Sequence, residues 1–136
     1  MKRRRALGRD NRGAGAVEFA LAAPVLFLVI IGVAQLGILF FASAGLQNAV
    51  AEGARLAMIY PRPSDEEIAD AVLDSRFGMK SAHIIGDPAI VHGTDENGFT
   101  YADISLSYTV PLDFIFFEID PITLTERRRV FTQPAA

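Results

Sequence analysis

The feature that most constrains this chain is a run of 33 residues, from 19 to 51, that contains no charged side chain. A helix needs about 20 mostly apolar residues to cross the hydrocarbon core of a bilayer. The run is therefore long enough to cross a membrane with residues to spare. Its polar members lie mostly toward its end: Gln35, Ser43, Gln47 and Asn48. We predict a transmembrane helix whose membrane-buried part covers roughly residues 19–41.

Charge is distributed unevenly about this run. Residues 1–13 hold six basic residues and one acidic residue, whereas the chain from residue 14 onward carries a net charge of −8. Basic residues beside a membrane helix mark its cytoplasmic end, so we expect a cytoplasmic amino terminus and an exported body. An acidic body repels phosphates, so we expect no nucleic-acid partner. The absence of cysteine excludes disulfides and thiolate metal sites.

The helix is predicted to continue beyond the membrane to residue 60. Small and apolar residues recur there at alternating steps of four and three, as on one helical face: Leu46, Val50, Gly53, Ala57 and Tyr60. Pro61 and Pro63 then predict its end. A helix over residues 14–60 would be roughly 70 Å long. About half of it must therefore project from the bilayer or pack on the domain that follows.

Residues 61–136 are predicted to form a small exported domain that begins with a short helix over residues 65–77. Ser64 and Glu67 have the spacing of a capping box at its start, and Gly78 is a natural stop. Its apolar stripe consists of Ile68, Val72, Leu73 and Phe77.

Strand-like segments follow at residues 82–86, 89–93, 99–111 and 122–131, with a turn at 94–98. The third segment alternates cleanly, and one of its faces is formed by Ala102, Ile104, Leu106, Tyr108 and Val110. We expect an antiparallel sheet of three or four strands packed on the short helix and on the exported half of the long one. The predicted fold class is therefore α+β.

Few side chains of this domain suggest chemistry. His83 and His92, with Asp87 and Asp95 nearby in sequence, leave a metal site conceivable, but we favour histidines that are simply exposed. The turn at residues 94–98 lacks the ligand spacing of a calcium-binding EF-hand loop. No phosphate-binding glycine loop and no nucleophile–base pair stands out. We therefore predict a protein with no metal, no cofactor and no enzymatic activity.

Two further segments each leave two interpretations open. The three arginines at residues 127–129 either belong to a solvated edge strand that resists aggregation or dock on an acidic partner. The apolar run at residues 114–117 either belongs to the core, which we favour, or forms an exposed interaction patch.

A single acid, Glu18, stands at the head of the uncharged run. Gly13 lies five positions before it, directly after the basic leader, and the aromatic Phe19 follows it. This pattern resembles the class III signal of type IV pilins. Its parts, in order, are basic residues, a glycine, four small or apolar residues, a glutamate, an aromatic residue and a long apolar run. The resemblance implies that a prepilin peptidase removes the leader, residues 1–13, by cutting before Ala14 on the cytoplasmic face. The transmembrane and projecting helix would then be residues 14–60.

Among proteins with this kind of signal, the sequence most specifically resembles the TadE-like family of the tight-adherence, or Flp, pilus system. It covers about residues 12–58 and rests on Val-Glu-Phe-Ala-Leu at 17–21, on Pro24 and Gly32, and on the stretch 46–55. It implies a pilin-like pseudopilin that crosses the bacterial inner membrane once, with a periplasmic carboxyl-terminal domain, and that serves cell adhesion and biofilm formation. The implied partners are the prepilin peptidase, the Flp pilin, other pseudopilins, the inner-membrane assembly platform and the lipid bilayer.

The resemblance also implies a role in assembly for Glu18, Phe19 and Pro24. Cleavage would free an α-amino group at Ala14. Such a group has a pKa of about 7.7–8 and is mostly protonated at neutral pH. A lone carboxylate in lipid costs at least about a few kcal/mol. Pairing Glu18 with the Ala14 ammonium of a neighbouring subunit would satisfy both charges and set the subunit register. Pro24 would kink the helix near the membrane edge.

Small residues along the helix suggest a second contact surface: Gly32, Gly37, Gly45, Ala49 and Gly53. The last three are spaced four apart, a pattern that lets helix backbones approach closely. They either mediate helix–helix association or reflect the ordinary abundance of small residues in membrane helices.

Two other interpretations of the whole chain stay open. One is a single-pass anchor for an extracytoplasmic binding module unrelated to pili, with Glu18 at the level of the headgroups. The other is a secreted enzyme whose signal is cleaved after Ala42-Ser43-Ala44, although an ordinary signal core has only about 7–15 apolar residues. The mature amino terminus separates the three, because it would be Ala14, Met1 or Gly45 respectively.

Overall fold

A computed structural model describes residues 13–114 and 117–132, with the side chains of residues 113–118 left out. Residues 1–12 of the basic leader and the side chains of the apolar run at 114–117 therefore lie outside the described residues. The elements in chain order are the helices Ala14–Ala57 (α1) and Asp65–Asp74 (α2), a 3-10 turn Ser81–His83, and the strands Ile84–Thr94 (β1), Thr100–Val110 (β2), Asp113–Phe114 (β3), Phe117–Glu118 (β4) and Ile122–Phe131 (β5).

The chain forms two compact units that divide between Ala34 and Gln35. Within the first unit, large apolar side chains of α1 are exposed on all sides of the helix: Val17, Phe19, Leu21, Val25, Leu26, Phe27, Val29, Ile30 and Val33. Among the described residues, α1 is the one helix with the length and composition to cross a membrane. Its most apolar 18-residue window has a mean hydropathy of 2.7 and is only 6 % buried within the protein. These properties fit a membrane anchor and not the buried helix of a soluble core.

The second unit, from Gln35 onward, is called the head. It contains the rest of α1, helix α2 and an antiparallel sheet of three strands in the order β1–β2–β5. A separate two-stranded ladder joins β3 to β4. The α+β class predicted from the sequence is therefore confirmed.

The core of the head lies between the helices and the central strand β2. All five residues predicted for the inner face of β2 are buried: Ala102, Ile104, Leu106, Tyr108 and Val110. They meet Leu46, Ala49 and Val50 of α1 and Ile68 and Val72 of α2 in one apolar cluster. The predicted packing of the sheet on the short helix and on the later part of the long helix is confirmed.

Both helices end earlier than the sequence predicted. α1 stops at Ala57, because the N–H groups of Met58 and Ile59 donate to carbonyls three residues back and tighten the last turn. Tyr60 consequently leaves the helical face on which it was placed and is 69 % exposed.

In α2, the predicted capping box of Ser64 and Glu67 is confirmed, but the helix ends at Asp74 instead of residue 77. The N–H of Ser75 donates to the Ala71 carbonyl and closes the last turn. Phe77 therefore lies in the following loop, outside the predicted stripe.

The segments predicted as two strands at 82–86 and 89–93 form one strand, β1, whose pairing with β2 shifts between Ile85 and Ala89. Gly86 has a φ of +70° there, and Pro88 has no N–H to donate. A local interruption of the ladder, and not a turn, thus explains the break in the sequence pattern. The turn predicted at 94–98 is confirmed, since the Asp95 side chain accepts bonds from the N–H groups of Asn97 and Phe99.

Candidate functional site

The start of α1 carries the predicted processing residues. Gly13 directly precedes the helix, and Ala14 is its first residue. Both are exposed, and a Cβ atom added to Gly13 would meet nothing within 4 Å. Within the described residues, the peptide bond between them is therefore sterically open.

Glu18 lies one turn into α1, four residues after Ala14. Residues four apart share one face of a helix and are separated by about 6 Å along its axis. Glu18 is exposed and forms no hydrogen bond or ion pair with any other described residue. Its neighbours Val17 and Phe19 are also exposed and apolar. In lipid, a carboxylate in this setting needs a charged or hydrogen-bonding partner from outside the described residues.

Pro24 lies inside α1, and the helix runs on through it. A proline within a helix has no N–H to give to the carbonyl four residues earlier, here that of Ala20. One backbone acceptor is thus freed two residues after Glu18, on the apolar part of the helix.

The small residues of α1 fall into two groups. A Cβ atom added to Gly32 or Gly37 would meet nothing within 4 Å. Gly45, Ala49 and Gly53, by contrast, are buried in the head. Gly45 closely approaches the loop after α2, and Gly53 closely approaches α2 itself. Association of Gly32 and Gly37 with a second helix stays a prediction.

A side chain added at either of the two buried glycines, Gly45 or Gly53, would clash severely with its neighbours. A Cβ atom on Gly45 would lie 1.8 Å from the Phe77 carbonyl oxygen, and one on Gly53 would lie 2.3 Å from Cγ2 of Val72. A side chain at Gly45 would require the Phe77 backbone to move, and one at Gly53 would require the Val72 side chain to move.

The three arginines at 127–129 lie on β5, an edge of the sheet. The register places Arg128 opposite Ile104 and Arg127 opposite Ser105, so the alternation expected of a strand is present. Arg129 donates two hydrogen bonds to the Asp103 carboxylate, at 2.8 and 2.7 Å.

The guanidinium of Arg129 also stacks 3.9 Å from the ring centroid of Tyr101. Its hydrogen bonds hold the pKa of Asp103 below the ordinary range and raise the pKa of Arg129 itself. One of the three arginines is thus held in place on the outer face of the sheet, while Arg127 and Arg128 are exposed.

The two histidines have separate surroundings. The His83 ring packs edge-on against Tyr108, with ring centroids 6.3 Å apart. His92 Nε2 lies 2.8 Å from an Asp65 carboxylate oxygen and 2.7 Å from an Arg62 guanidinium nitrogen. Among the described residues, no group of three or more His, Asp or Glu side chains could hold a metal ion.

The contacts of His92 fasten the segment after α1 to strand β1. Sequence reasoning missed this cluster because Arg62 and His92 are 30 residues apart. Arg62 and His92 meet only because the chain reverses direction after α1 and later returns as strand β1.

Residues 13–55 match the family model for TadE-like proteins. The match starts at Gly13, includes Glu18 and Pro24, and ends two residues before the end of α1. It confirms the resemblance inferred from the sequence and covers about a third of the chain.

No curated protein and no solved structure matches the chain. TadE-like proteins are a structural family of the tight-adherence pilus system and are not known for enzymatic activity. The matched segment is α1 alone, so the match leaves the sheet and α2 without a family counterpart.

Proposed function

We propose that this protein is a pilin-like membrane subunit, a pseudopilin, required for assembly of a tight-adherence pilus and processed by a prepilin peptidase after Gly13. One observation carries the proposal: the TadE-like match begins at Gly13 and contains two acids, which have different surroundings. Glu52 pairs with Arg55 on the surface of the head. Glu18 has no ion-pair partner among the described residues and lies in apolar surroundings.

The carboxylate of Glu18 supports assembly through charge pairing. Removal of the leader creates an α-ammonium group at Ala14, and in lipid this cation and the Glu18 carboxylate each need a partner. Pairing between neighbouring subunits, either two copies of this chain or this chain and the Flp pilin, neutralises both charges. Because removing one member of a buried pair costs on the order of 3–5 kcal/mol, such pairing selects one axial register.

The proposed setting is the bacterial inner membrane, with the amino terminus cytoplasmic and the head periplasmic. The proposed partners are the prepilin peptidase, the Flp pilin, other pseudopilins and the assembly platform. The structure argues against the rival cleavage after Ala44, because α1 passes through this position without interruption and Ala42 and Gly45 are buried in the head.

The test is the amino-terminal sequence of the protein isolated from membranes of its host. The expected mature protein begins at Ala14, and Gly13→Val should leave it beginning at Met1. Gly15→Val is the matched control, because a Cβ atom at Gly15 also meets nothing within 4 Å. Wild-type protein that begins at Met1 would support an unprocessed anchor and refute the pseudopilin proposal.

A further inference from the structure

The exposed surface of α1 changes character within the head. Leu36, Ile38, Phe40 and Phe41 are all more than half exposed. From Gln47 onward, the exposed residues of the same helix are mainly polar or charged, as with Asn48 and Arg55. A helix that leaves the hydrocarbon core of a bilayer changes from apolar to polar surface at the headgroup region. The exposed apolar surface of α1 ends near Phe41, so we take Phe41 as the level at which α1 leaves the hydrocarbon core.

The loop between α2 and β1, residues 75–80, lies against this level. The Phe77 ring contacts the Phe41 ring, with centroids 5.5 Å apart. Gly78, at a φ of +65°, leaves no room for a side chain beside Phe41, since a Cβ atom would lie 2.5 Å from its ring. We call residues 75–80 the exit loop.

The exit loop is held firmly by the head. The Asn48 side-chain amide donates to the Ser75 carbonyl at 2.8 Å, and the Lys80 N–H donates to the Tyr108 hydroxyl at 3.2 Å. The Phe77 carbonyl fits against Gly45. The loop is thus fixed at one height along α1.

The side chains that the exit loop presents suit a membrane surface. Phe77 is 42 % exposed although it is apolar. Lys80 is exposed and forms no ion pair among the described residues. Aromatic rings beside basic side chains bind the boundary between acyl chains and anionic headgroups, because the ring enters the boundary while the cation remains near the phosphates.

We propose that the exit loop docks on the bilayer that α1 enters, with the Phe77 ring in the interfacial layer and the Lys80 ammonium at lipid phosphates. This contact fixes the depth and orientation of the head at the membrane. It rests on the membrane anchor of the proposed function and adds a second attachment point to it.

A second exposed aromatic pair provides an internal comparison. Phe99 and Phe131 are 63 % and 59 % exposed, with ring centroids 6.3 Å apart. They lie by the β1–β2 turn, beyond the far end of the 11-residue strand β1, roughly 30 Å from the strand's start. The acids Asp95 and Glu96 flank them. Because of these acids and its distance from the start of β1, this pair is not expected to meet lipid.

Tryptophan fluorescence can test the proposal, because the chain contains no tryptophan. The full chain would be reconstituted into vesicles of phosphatidylethanolamine and phosphatidylglycerol as Phe77→Trp, Phe99→Trp and Phe27→Trp. Quenching would be measured with lipids brominated near the headgroup or deep in the acyl chain. Phe27→Trp reports insertion of α1 itself.

We expect Phe77→Trp to lose emission mainly with lipids brominated near the headgroup, and Phe27→Trp mainly with deeply brominated lipids. Phe99→Trp should not be quenched. If Phe27→Trp is quenched and Phe77→Trp is not, the anchor stands and the docking proposal fails. If neither is quenched, the membrane anchor fails and the docking proposal with it. Unquenched but blue-shifted emission from Phe77→Trp would show that another protein surface covers it, which also refutes lipid docking.

A label at Lys80 gives a measurement that leaves Phe77 intact. The chain has no cysteine, so Lys80→Cys and Glu96→Cys can each carry one nitroxide. We expect the label at residue 80 to be accessible to oxygen dissolved in the bilayer, and the label at residue 96 only to a water-soluble relaxation agent. Equal, purely aqueous accessibility at both positions would overturn the proposal.

Discussion

Gly45 and Gly53 are the residues whose small size the head requires most directly. Each allows α1 to touch another part of the chain without an intervening side chain, the exit loop at Gly45 and α2 at Gly53. The obstacle at Gly45 is a backbone carbonyl, which cannot rotate away as a side chain can. The cost of adding a methyl group should therefore be greatest there.

Gly45→Ala should destabilise the head by about 1–3 kcal/mol, the usual cost of overpacking a well-packed core. The measurement is urea unfolding of the full chain in detergent micelles, followed by circular dichroism. Gly37→Ala is the matched control on the same helix, because its Cβ atom would meet nothing within 4 Å. An unfolding midpoint for Gly45→Ala equal to that of Gly37→Ala would contradict the packing described.

The Asp103–Arg129 pair predicts a pH dependence. The pKa of Asp103 is lowered in the folded protein by its hydrogen bonds to Arg129. The pair therefore stabilises the folded state above the unfolded pKa of about 3.9, and this contribution is lost as pH falls through the folded pKa. Asp103→Asn should lower the urea midpoint at neutral pH and show a smaller further fall on acidification than the wild type.

Asp87→Asn serves as the comparison for this effect. Asp87 is exposed and forms no ion pair within the described residues. Its replacement should leave the wild-type pH profile in place. If Asp103→Asn and Asp87→Asn behave alike between about pH 5 and pH 2, the pair does not contribute to stability.

Among the elements, α2 is short and depends on its cap. The Ser64 hydroxyl accepts from the N–H of Glu67, and the Glu67 carboxylate accepts from the N–H of Ser64 at 2.8 Å. Hydrogen bonding to Ser64 also lowers the pKa of Glu67. The helix has only ten residues, and these two bonds satisfy two backbone N–H groups at its start that have no partner within the helix.

Ser64→Ala should cost about 1 kcal/mol of stability, the usual loss at an N-cap position. Ser75→Ala is the control at the other end of α2, where the cap bond is made by the backbone N–H and not by the hydroxyl. The two variants would be compared by urea unfolding and by amide hydrogen exchange in α2. Equal exchange rates in the two variants would show that the capping box does not stabilise this helix.

Strand β5 shows how an edge is protected from pairing with other chains. On the side that faces the core, the charged Glu126 and Arg128 lie between Leu124 and Val130. Charges on the inward face of an edge strand oppose the addition of a further strand. This arrangement favours the solvated-edge interpretation of the arginine run over a docking site for an acidic partner.

The chain joins two parts with separate roles. One is a membrane-length helix whose Glu18 has no ion-pair partner among the described residues, and the other is a head with its own core. Glu18 lies in the first compact unit, whereas the buried core of the head is formed by residues of the second. Folding of the head is therefore not expected to depend on the Glu18 side chain. Assembly through Glu18 can therefore be separated from folding by mutation.

Glu18→Ala should leave leader removal, membrane insertion and head stability close to wild type and abolish incorporation into the pilus assembly machinery. The measurements are amino-terminal sequencing, membrane fractionation and counting of pili on cells. Glu52→Ala is the control, because it removes the other acid of α1, which pairs with Arg55 at the surface of the head. Normal piliation in the Glu18→Ala strain would refute the role proposed for this carboxylate.

Features that depend on short, regular spacing could be predicted from the sequence. The charge-free run predicted α1, the alternation at residues 102–110 predicted the buried face of β2, and the spacing of Ser64 and Glu67 predicted the cap. Each follows from the period of a helix or strand or from a contact within one turn, so neighbours in sequence suffice to define it. The family resemblance likewise rested on one continuous segment.

Contacts between residues that are far apart in sequence could be seen only in the folded chain. It placed Phe77 on Phe41, joined Asp65 to His92 across 27 residues, and chose Arg129 among three adjacent arginines as the partner of Asp103. These contacts depend on sheet register and on where α2 ends, and neither is encoded in a local period. The position of the exit loop beside Phe41, and with it the proposed contact with lipid, could therefore be inferred only from the folded structure.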